Sequence, residues 1–386
     1  MADGGDKLAL RARTVGAISS IPAKDWNRLA NPPAAPANPF VSHAFLSALE
    51  NSNSAAPDSG WTPNHVVLEE TGVIVGAAPV YIKPHSFGEY VFDHHWAEAL
   101  ERAGGRYYPK LLCASPFTPV PGPRLLAGTP AQKTALASTI VELSERIGAS
   151  SAHVNFVGED EANILSGAGF LGRKGIQYHW FNRSYRTYDD FLGALSSRKR
   201  KTLRRERKAA GEGLTIRRIE GVDLNQAQWD SFWTFYQDTG GRKWGRPYLT
   251  RAFFDEISQT MADQIMMVVA EADNRPIAGA LNFIGGDAIY GRYWGRTLDR
   301  PFLHFEICYH QAIEYAIERG LARVEAGAQG DHKIARGYEA VITRSAHYIA
   351  NPAFREAIAR YLGTEGADIK AEIEAIDGLS PYRRDC

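Results

Sequence analysis

The chain has 386 residues, more than twice a typical domain of about 150, so two cores are expected rather than one. Its composition is ordinary, with 44% hydrophobic, 11% aromatic and 23% charged residues, which excludes disordered, collagenous and coiled-coil classes. Lys plus Arg (44) equals Asp plus Glu (44), so any attraction to nucleic acid or to a membrane surface must be local.

The first residues, MADGGDKLALRART, contain no apolar run and do not read as a secretory signal. Three cysteines, Cys113, Cys308 and Cys386, form no C-x-x-C pair. That pattern excludes a disulfide framework and a thiolate-rich metal centre, and it fits a reducing, cytoplasmic setting. The longest mostly apolar run, Val73–Ile82, is broken by Gly76 and Pro79 and is too short to span a bilayer.

From Asn64 onward, HVVLEE, the turn Thr71-Gly72 and VIVGAAPVYIK predict a β-hairpin. Thr129, Pro130 and Gln132 form a helix start with cap, first-turn proline and capping-box glutamine; the helix stops at Gly148 and a strand, AHVNFV, follows. The second half repeats the plan. QIMMVVAE, PIAGALNFI and AIYGRYWG predict a three-strand meander. Phe305, Cys308, Ala312, Tyr315 and Ala316 then recur at helical spacing, Gly320 stops the helix, and ARVEAG is a strand. Two copies of one mixed α/β unit are the predicted architecture.

Between the copies lies SSRKRKTLRRERK (Ser196–Lys208), with eight basic residues against one Glu. A helix polar on nearly every side is either a solvated spacer between domains or the contact for an anionic partner, and charge alone leaves both readings open.

Among motifs, Gly167-Ala-Gly169-Phe-Leu-Gly172 matches the dinucleotide fingerprint in letters but follows a helix and leads into a strand, the wrong polarity. No G-x-S-x-G, Walker A or H-E-x-x-H sequence occurs. The segment HSFGEYVFDHH gathers His85, Glu89, Tyr90, Asp93, His94 and His95. It reads either as a substrate pocket with a general base or as a hydrogen-bonded structural group; adjacent histidines on an extended segment point apart, so no metal is expected.

In the second half, Glu306 lies in the first turn of a helix, where the dipole favours an acid whatever the function. His304 beside it is a cap or a catalyst. Glu325 on a short strand must be paired or line a cleft. The loop GAQGDHKIARGY places Gln329, Asp331, His332, Lys333 and Arg336 after a strand end, where α/β proteins hold ligands; a mobile surface lysine is the plainer reading of Lys333. Trp229, Phe232, Trp233, Phe235 and Tyr236 have the spacing of a helix core, while Lys243, Trp244 and Arg246 in a Gly- and Pro-punctuated stretch read as a binding edge.

This order of parts resembles the Fem-type transferases, which are built from two acetyltransferase-like (GNAT) domains. Their joining segment, S-[RK]-x-x-R-x-x-[LI]-R-[KR]-x-x-x-x-G followed by a strand, has its counterpart in SSRKRKTLRRERKAAGEGLTIRRI, and LHFEICYHQAIEYAIERGLARVEAGAQGDHKIARGY puts Lys333 on the family's loop lysine, with His332 where an aromatic often stands. The resemblance covers nearly the whole chain. It implies an α/β fold of two tandem GNAT-like domains, residues 1–187 and 213–386, joined by a basic helical segment, 188–212. NPFVSHAFLSALE, HSFGEYVFDHHWAEAL, YYPKLLCASPFTPVPGPRLL and GAQGDHK resemble the subgroup labelled peptidoglycan biosynthesis/recognition, and the chain is similar to bacterial ceramide synthases.

The resemblance implies an N-acyltransferase. Ceramide synthesis would use a fatty acyl group from acyl-CoA or an acyl-carrier protein, a sphingoid long-chain amine as acceptor, and peripheral contact with the inner membrane. A Fem-like aminoacyl-tRNA-dependent transferase acting on a peptidoglycan precursor is the alternative, and a non-catalytic module of the same fold is a third. Acetyl-CoA users of the superfamily carry [QR]-x-x-G-x-[GA] before the helix, whereas this chain has WGRTLDRPFLHFE, without those glycines.

The chemistry requires a base for the amine and donors for the oxyanion. Glu306, Glu325 or His304 is expected as the base. Lys333, with a backbone N–H near Tyr293–Gly295, is expected to stabilise the oxyanion. Arg296, Arg300 and Arg336 are expected to hold the phosphates of an acyl-CoA co-substrate. His85, Glu89, Tyr90 and Asp93, with Lys243, Trp244 and His332, are expected to line the substrate side.

Overall fold

The predicted hairpin forms where β-branched runs flank a two-residue turn: β3 (His65–Glu70) pairs antiparallel with β4 (Val73–Ala78) across Thr71-Gly72, both residues at positive φ. The computed structural model describes residues 10–243, 247–327 and 330–383. Compact packing divides the chain into two units. The first comprises 1–33, 40–174 and 343–367; the second comprises 34–39, 175–342 and 368–386. These units depart from the expected segments 1–187, 188–212 and 213–386. Two long strands, β9 (Leu171–Phe181) and β15 (Glu339–Ile349), each run from one unit into the other, and the basic helix lies within the second unit rather than between the two.

In the first unit, β1 (Arg11–Val15), β3, β4 and β7 (Leu126–Ala127) form one sheet in the order β1-β3-β4-β7. A second run comprises the end of β15, β8 (Ser151–Val157), β6 (Lys110–Cys113), β5 (Val80–Lys83) and β2 (Thr62–Pro63). Pro79 separates β4 from β5, so the single predicted strand VIVGAAPVYIK becomes two strands in different sheets. The helix Pro130–Arg146 carries the predicted cap, with Thr129 Oγ1 accepting from Gln132 N. Leu136, Ala137, Ile140 and Leu143 on this helix are buried against Val66, Leu68, Leu111 and Val154 of the strands.

The second unit holds β10 (Thr215–Glu220), β11 (Ile265–Ala272), β12 (Arg275–Ile284), β13 (Ala288–Arg296) and β14 (Arg323–Glu325), followed in sheet order by the end of β9. The meander is the one predicted. Trp229, Phe232, Phe235 and Tyr236, on the helix Gln226–Lys243, are buried as expected of a core face. The helical segment Leu303–Glu318 contains one π turn, Glu306–His310, which the periodicity did not reveal.

The internal repeat is visible in the pairing. In the first unit β6 and β8, connected through the helix Pro130–Arg146, pair in parallel over Leu111–Cys113 and Ala152–Val154. In the second, β13 and β14, connected through the helix ending at Glu318, pair in parallel over Ala288–Tyr290 and Arg323–Glu325. Gly148 (φ 66°) and Gly320 (φ 65°) follow the two helices in the left-handed region, as their place after a helix end requires. The GxGxxG letters lie at the exit of the helix Glu159–Gly167, just before β9, and form no strand-to-helix turn.

Among the described residues no helix is long and apolar enough to cross a membrane.

Candidate functional site

In the second unit a cavity of about 70 Å³ opens where β13 leaves its neighbours. Leu281 pairs with Tyr293 but Asn282 pairs with Gly291, so Arg292 is an extra residue bulged out of β13. On the other side the ladder to β14 ends at Tyr290. Asn282, Arg292, Trp294, His304, Cys308 and Tyr309 are among the residues lining the resulting space, and Ala326, just past β14, closes it.

His304 is in this wall, its ring 4.3 Å from that of Trp294 (centroid to centroid) and 5.3 Å from Tyr309. His332 stands close by, its Nε2 2.9 Å from the Tyr309 hydroxyl. Lys333 is not a mobile surface side chain. It is 1% exposed, and its ammonium donates to Gly327 O at 2.7 Å. Burial pulls its pKa down to about 8, with a further lowering from Arg292, and it lies within electrostatic reach of Cys308. Both of those neighbours line the cavity.

Glu325 is paired, as a buried carboxylate on a strand must be: Oε1 accepts from Arg323 Nε at 2.9 Å, and Oε2 is 3.6 Å from Nε2 of its strand partner His179. Burial raises the Glu325 carboxyl and pushes His179 down to about 3.

Other expected residues are engaged elsewhere. The Glu306 carboxylate accepts from Arg207 Nε at 2.9 Å, from Arg207 Nη2 at 2.8 Å and from Gln311 Nε2 at 2.7 Å, and it is absent from the cavity wall. Three charge-assisted bonds thus hold its two oxygens within the protein. The Arg336 guanidinium lies 3.4 Å from the centre of the Phe305 ring and donates to Glu206 and to His332 O, so it braces the basic helix instead of facing solvent phosphates. Arg296 pairs with Asp299, while Arg300 is exposed. Trp244 and the Lys243 side chain lie outside the described residues, as does Gln329.

The basic helix, Ser197–Gly211, is half committed. Leu203 and Ala210 are buried, Arg207 joins Glu306 and Glu314, and Glu206 takes Arg336. Arg198, Lys201, Arg205 and Lys208 are exposed at intervals of three and four residues, which places them on one face.

The other group of predicted residues lies in the first unit and is richer than the sequence indicated. Lys110 Nζ, with no exposure, donates to Glu89 Oε2 (2.7 Å), Asp93 Oδ2 (2.5 Å) and Ser86 Oγ (2.7 Å). Tyr107 donates to the same Asp93 oxygen at 2.6 Å, and His153 Nδ1 lies 2.6 Å from His347 Nδ1. Lys83, opposite Lys110 across the β5–β6 ladder, lies over the Trp61 ring and 3.9 Å from Glu89.

Burial raises Glu89 to about 7 and lowers Lys83 to about 7. Burial alone would raise Asp93, yet Lys110 and His153 hold it well below the usual carboxylate range. His153 is pushed down to about 3 by burial and then by Lys110. Around this group, His85 is half-buried against Phe87, Tyr90 sits at φ 59°, and His94 and His95 open a helix, His94–Arg102, rather than lying on an extended segment.

Lys83, Lys110, His153 and His347 were not expected from the sequence. The one signal, for the two lysines, is a lysine ending VYIK and another opening KLLC, in strands otherwise apolar.

The family model FemAB_like, described as peptidoglycan biosynthesis/recognition, matches residues 17–384. This chain belongs to the FemAB-like family.

The described part of this FemAB-like chain consists of two α/β units that repeat one helix-connected parallel strand pair. Three solved structures are similar to it. FemX is 13% identical, with a TM-score of 0.51 over 80% of this chain and 93% of that one. The C-terminal domain (DUF2156) of a putative lysylphosphatidylglycerol synthetase from Agrobacterium fabrum is 12% identical, with a TM-score of 0.54 over 89% and 95%. A tandem GNAT protein from the clavulanic acid biosynthesis pathway is 11% identical, with a TM-score of 0.49 over 89% and 99%. Likeness at these identities concerns the fold alone. No curated protein matches the FemAB-like chain significantly.

Proposed function

We propose that this FemAB-like protein transfers an aminoacyl group from aminoacyl-tRNA to the amine of a peptidoglycan precursor. The reading rests on one observation. A buried lysine of lowered pKa, Lys333, lies within electrostatic reach of Arg292 and Cys308, which line a cavity opened by the β13 bulge and walled by His304. Acyl transfer needs a cation or N–H groups where the carbonyl oxygen gains charge, in a site shielded from water.

In this reading His304 takes a proton from the acceptor amine, the nitrogen attacks the ester carbonyl, and Lys333 stabilises the oxyanion. The carbon–oxygen bond then breaks as the carbon–nitrogen bond is completed, and the departing ribose hydroxyl receives the proton from His304. The donor class is supported by the exposed stripe Arg198, Lys201, Arg205 and Lys208 in the same unit, and by the missing glycines of a pyrophosphate loop in WGRTLDRPFLHFE.

A second reading, transfer of a fatty acyl group from a thioester to a long-chain amine, is favoured by a different observation. Leu298 (44% exposed) and Phe302 (37%) flank Arg300 in the loop entering the helix, an apolar and cationic combination suited to a membrane interface.

The test supplies both donor classes in parallel: labelled aminoacyl-tRNA with a peptidoglycan precursor, and long-chain acyl-CoA with a sphingoid amine. Amine-dependent transfer from tRNA alone supports the first reading. Amine-dependent thiol release alone establishes the second. Neither, with folded protein, leaves a binding module. Replacing the four stripe residues by alanine should flatten the log–log salt dependence of tRNA binding by about 4, one per lost phosphate contact.

A further inference from the structure

Asn282 sits inside β12 with no exposure to solvent. Its amide nitrogen is fixed, since Nδ2 donates to Met266 O at 3.2 Å and to Ala280 O at 3.4 Å. Turning the amide over would set Oδ1 against those two carbonyl oxygens, so the strands dictate its orientation. Oδ1 is therefore directed away from them, buried, and no described group of the protein donates to it.

Its residue is part of the cavity wall. Asn282 lines that space opposite Gly291, where a Cβ would come within 3.4 Å of Oδ1 and narrow the approach. A buried carbonyl oxygen without a donor is costly, and leucine would fill the same volume on this strand without that cost. The oxygen's retention in the wall of the cavity calls for a donor that arrives from outside.

We propose that Asn282 is a binding and positioning residue for the acceptor, accepting a hydrogen bond from an N–H of the attacking amine. With the Arg292 guanidinium-bearing side chain in the wall, a charged ammonium is disfavoured and the neutral amine is favoured, which is the nucleophilic form. One N–H held by Oδ1 leaves the nitrogen lone pair free to face the carbonyl carbon. The assignment deepens the transferase reading and rests on it.

Two measurements separate its failure from that of the reading. The first uses Asn282→Leu, with Asn282→Ala as a second variant should the larger side chain disturb the strand. The Michaelis constant for the acceptor amine should rise at least tenfold while that for the donor stays within twofold, and the urea midpoint of Asn282→Leu should equal or exceed that of the parent protein. A rise of less than threefold for the acceptor, an equal rise for the donor, or a sharp fall in the midpoint overturns the assignment.

The second needs no turnover: saturation-transfer NMR with N-methylacetamide, which carries one N–H, and with N,N-dimethylacetamide, which has none. The N–H probe should bind the parent protein and not Asn282→Leu, and the dimethyl probe should bind neither. Equal signals from both probes, or equal binding to both proteins, would mean that Oδ1 meets only water. If no transfer occurs with any donor but the probe selectivity holds, the transferase reading fails and the amide-reading oxygen stands.

Discussion

Replacing Lys110 by methionine tests whether the buried charges of the first unit form one electrostatic body. Lys110 is the common donor to Glu89, Asp93 and Ser86, at 2.5–2.7 Å, and neither carboxylate is more than 5% exposed. Methionine preserves the stem and removes the cation. Breaking a buried pair in this way costs about 3–5 kcal/mol, because the surviving charges stay desolvated. At about 2–4 °C per kcal/mol for a unit of 150–250 residues, the melting temperature should fall by roughly 6–20 °C.

The variant also carries a pH signature. Without Lys110 the two carboxyls titrate higher in the folded state than in the unfolded chain, so the folded state binds more protons near neutrality and stability falls as pH rises. The stability that Lys110→Met loses relative to the parent protein should therefore be smaller at pH 5 than at pH 7. Adding Glu89→Gln and Asp93→Asn should recover most of the loss and abolish that slope. Urea denaturation followed by circular dichroism reads both. A loss under 1 kcal/mol, or a triple variant no more stable than the single one, would refute the reasoning.

Arg207→Ala should cost about 1.5–3 kcal/mol, because Glu306, 4% exposed, keeps the neutral Gln311 amide as donor at 2.7 Å but loses the guanidinium, and urea midpoints should show it; a loss under 0.5 kcal/mol would mean that the pair is solvated. The parent protein should lose stability as pH falls from about 6.5 toward 3: His153 and His179 are held near 3 in the fold, so the unfolded chain binds more protons throughout that window. Glu89, raised to about 7, and Glu325, raised by burial, work in the opposite direction, yet burial also lowers His310 and His347, so two carboxyls stand against four histidines and the net slope should keep the histidines' sign. His153→Asn with His179→Asn should reduce the slope, and an unchanged slope would remove the histidines from the explanation.

Much of the fold was legible because its signals are local. Thr129-Pro130 with Gln132 starts a helix by satisfying its free N–H groups, and Gly148 and Gly320 stop helices by tolerating positive φ. The meander followed from β-branched runs separated by turns. The unit boundaries were not legible, because β9 and β15 each serve both units and no composition change marks a strand that does so.

In the site, His304 and Lys333 were named from their neighbourhood in sequence; His304 lines the cavity with His332 6.1 Å away between ring centres, while the Lys333 ammonium is bonded to Gly327 O. Glu306 was misleading because its partner Arg207 lies 99 residues away, and Arg336 because Glu206 lies 130 residues away. Lys83 and Lys110 were hidden for the same reason: nothing in KLLC announces that its lysine faces inward toward Glu89 and Asp93. Asn282 looks like an ordinary polar residue until carbonyls of β11 and of its own strand fix its nitrogen.

The most direct test of the account is a single-turnover measurement of transfer to the acceptor amine by Lys333→Ala beside the parent protein, each checked for folding by circular dichroism and followed from pH 6.5 to 9.5. If the Lys333 ammonium carries the oxyanion, the parent rate should decline as pH rises through about 8, where the lysine loses its proton, and Lys333→Ala should be slower by about 10²–10³ with that decline absent. A folded Lys333→Ala protein that transfers at the parent rate would contradict the account.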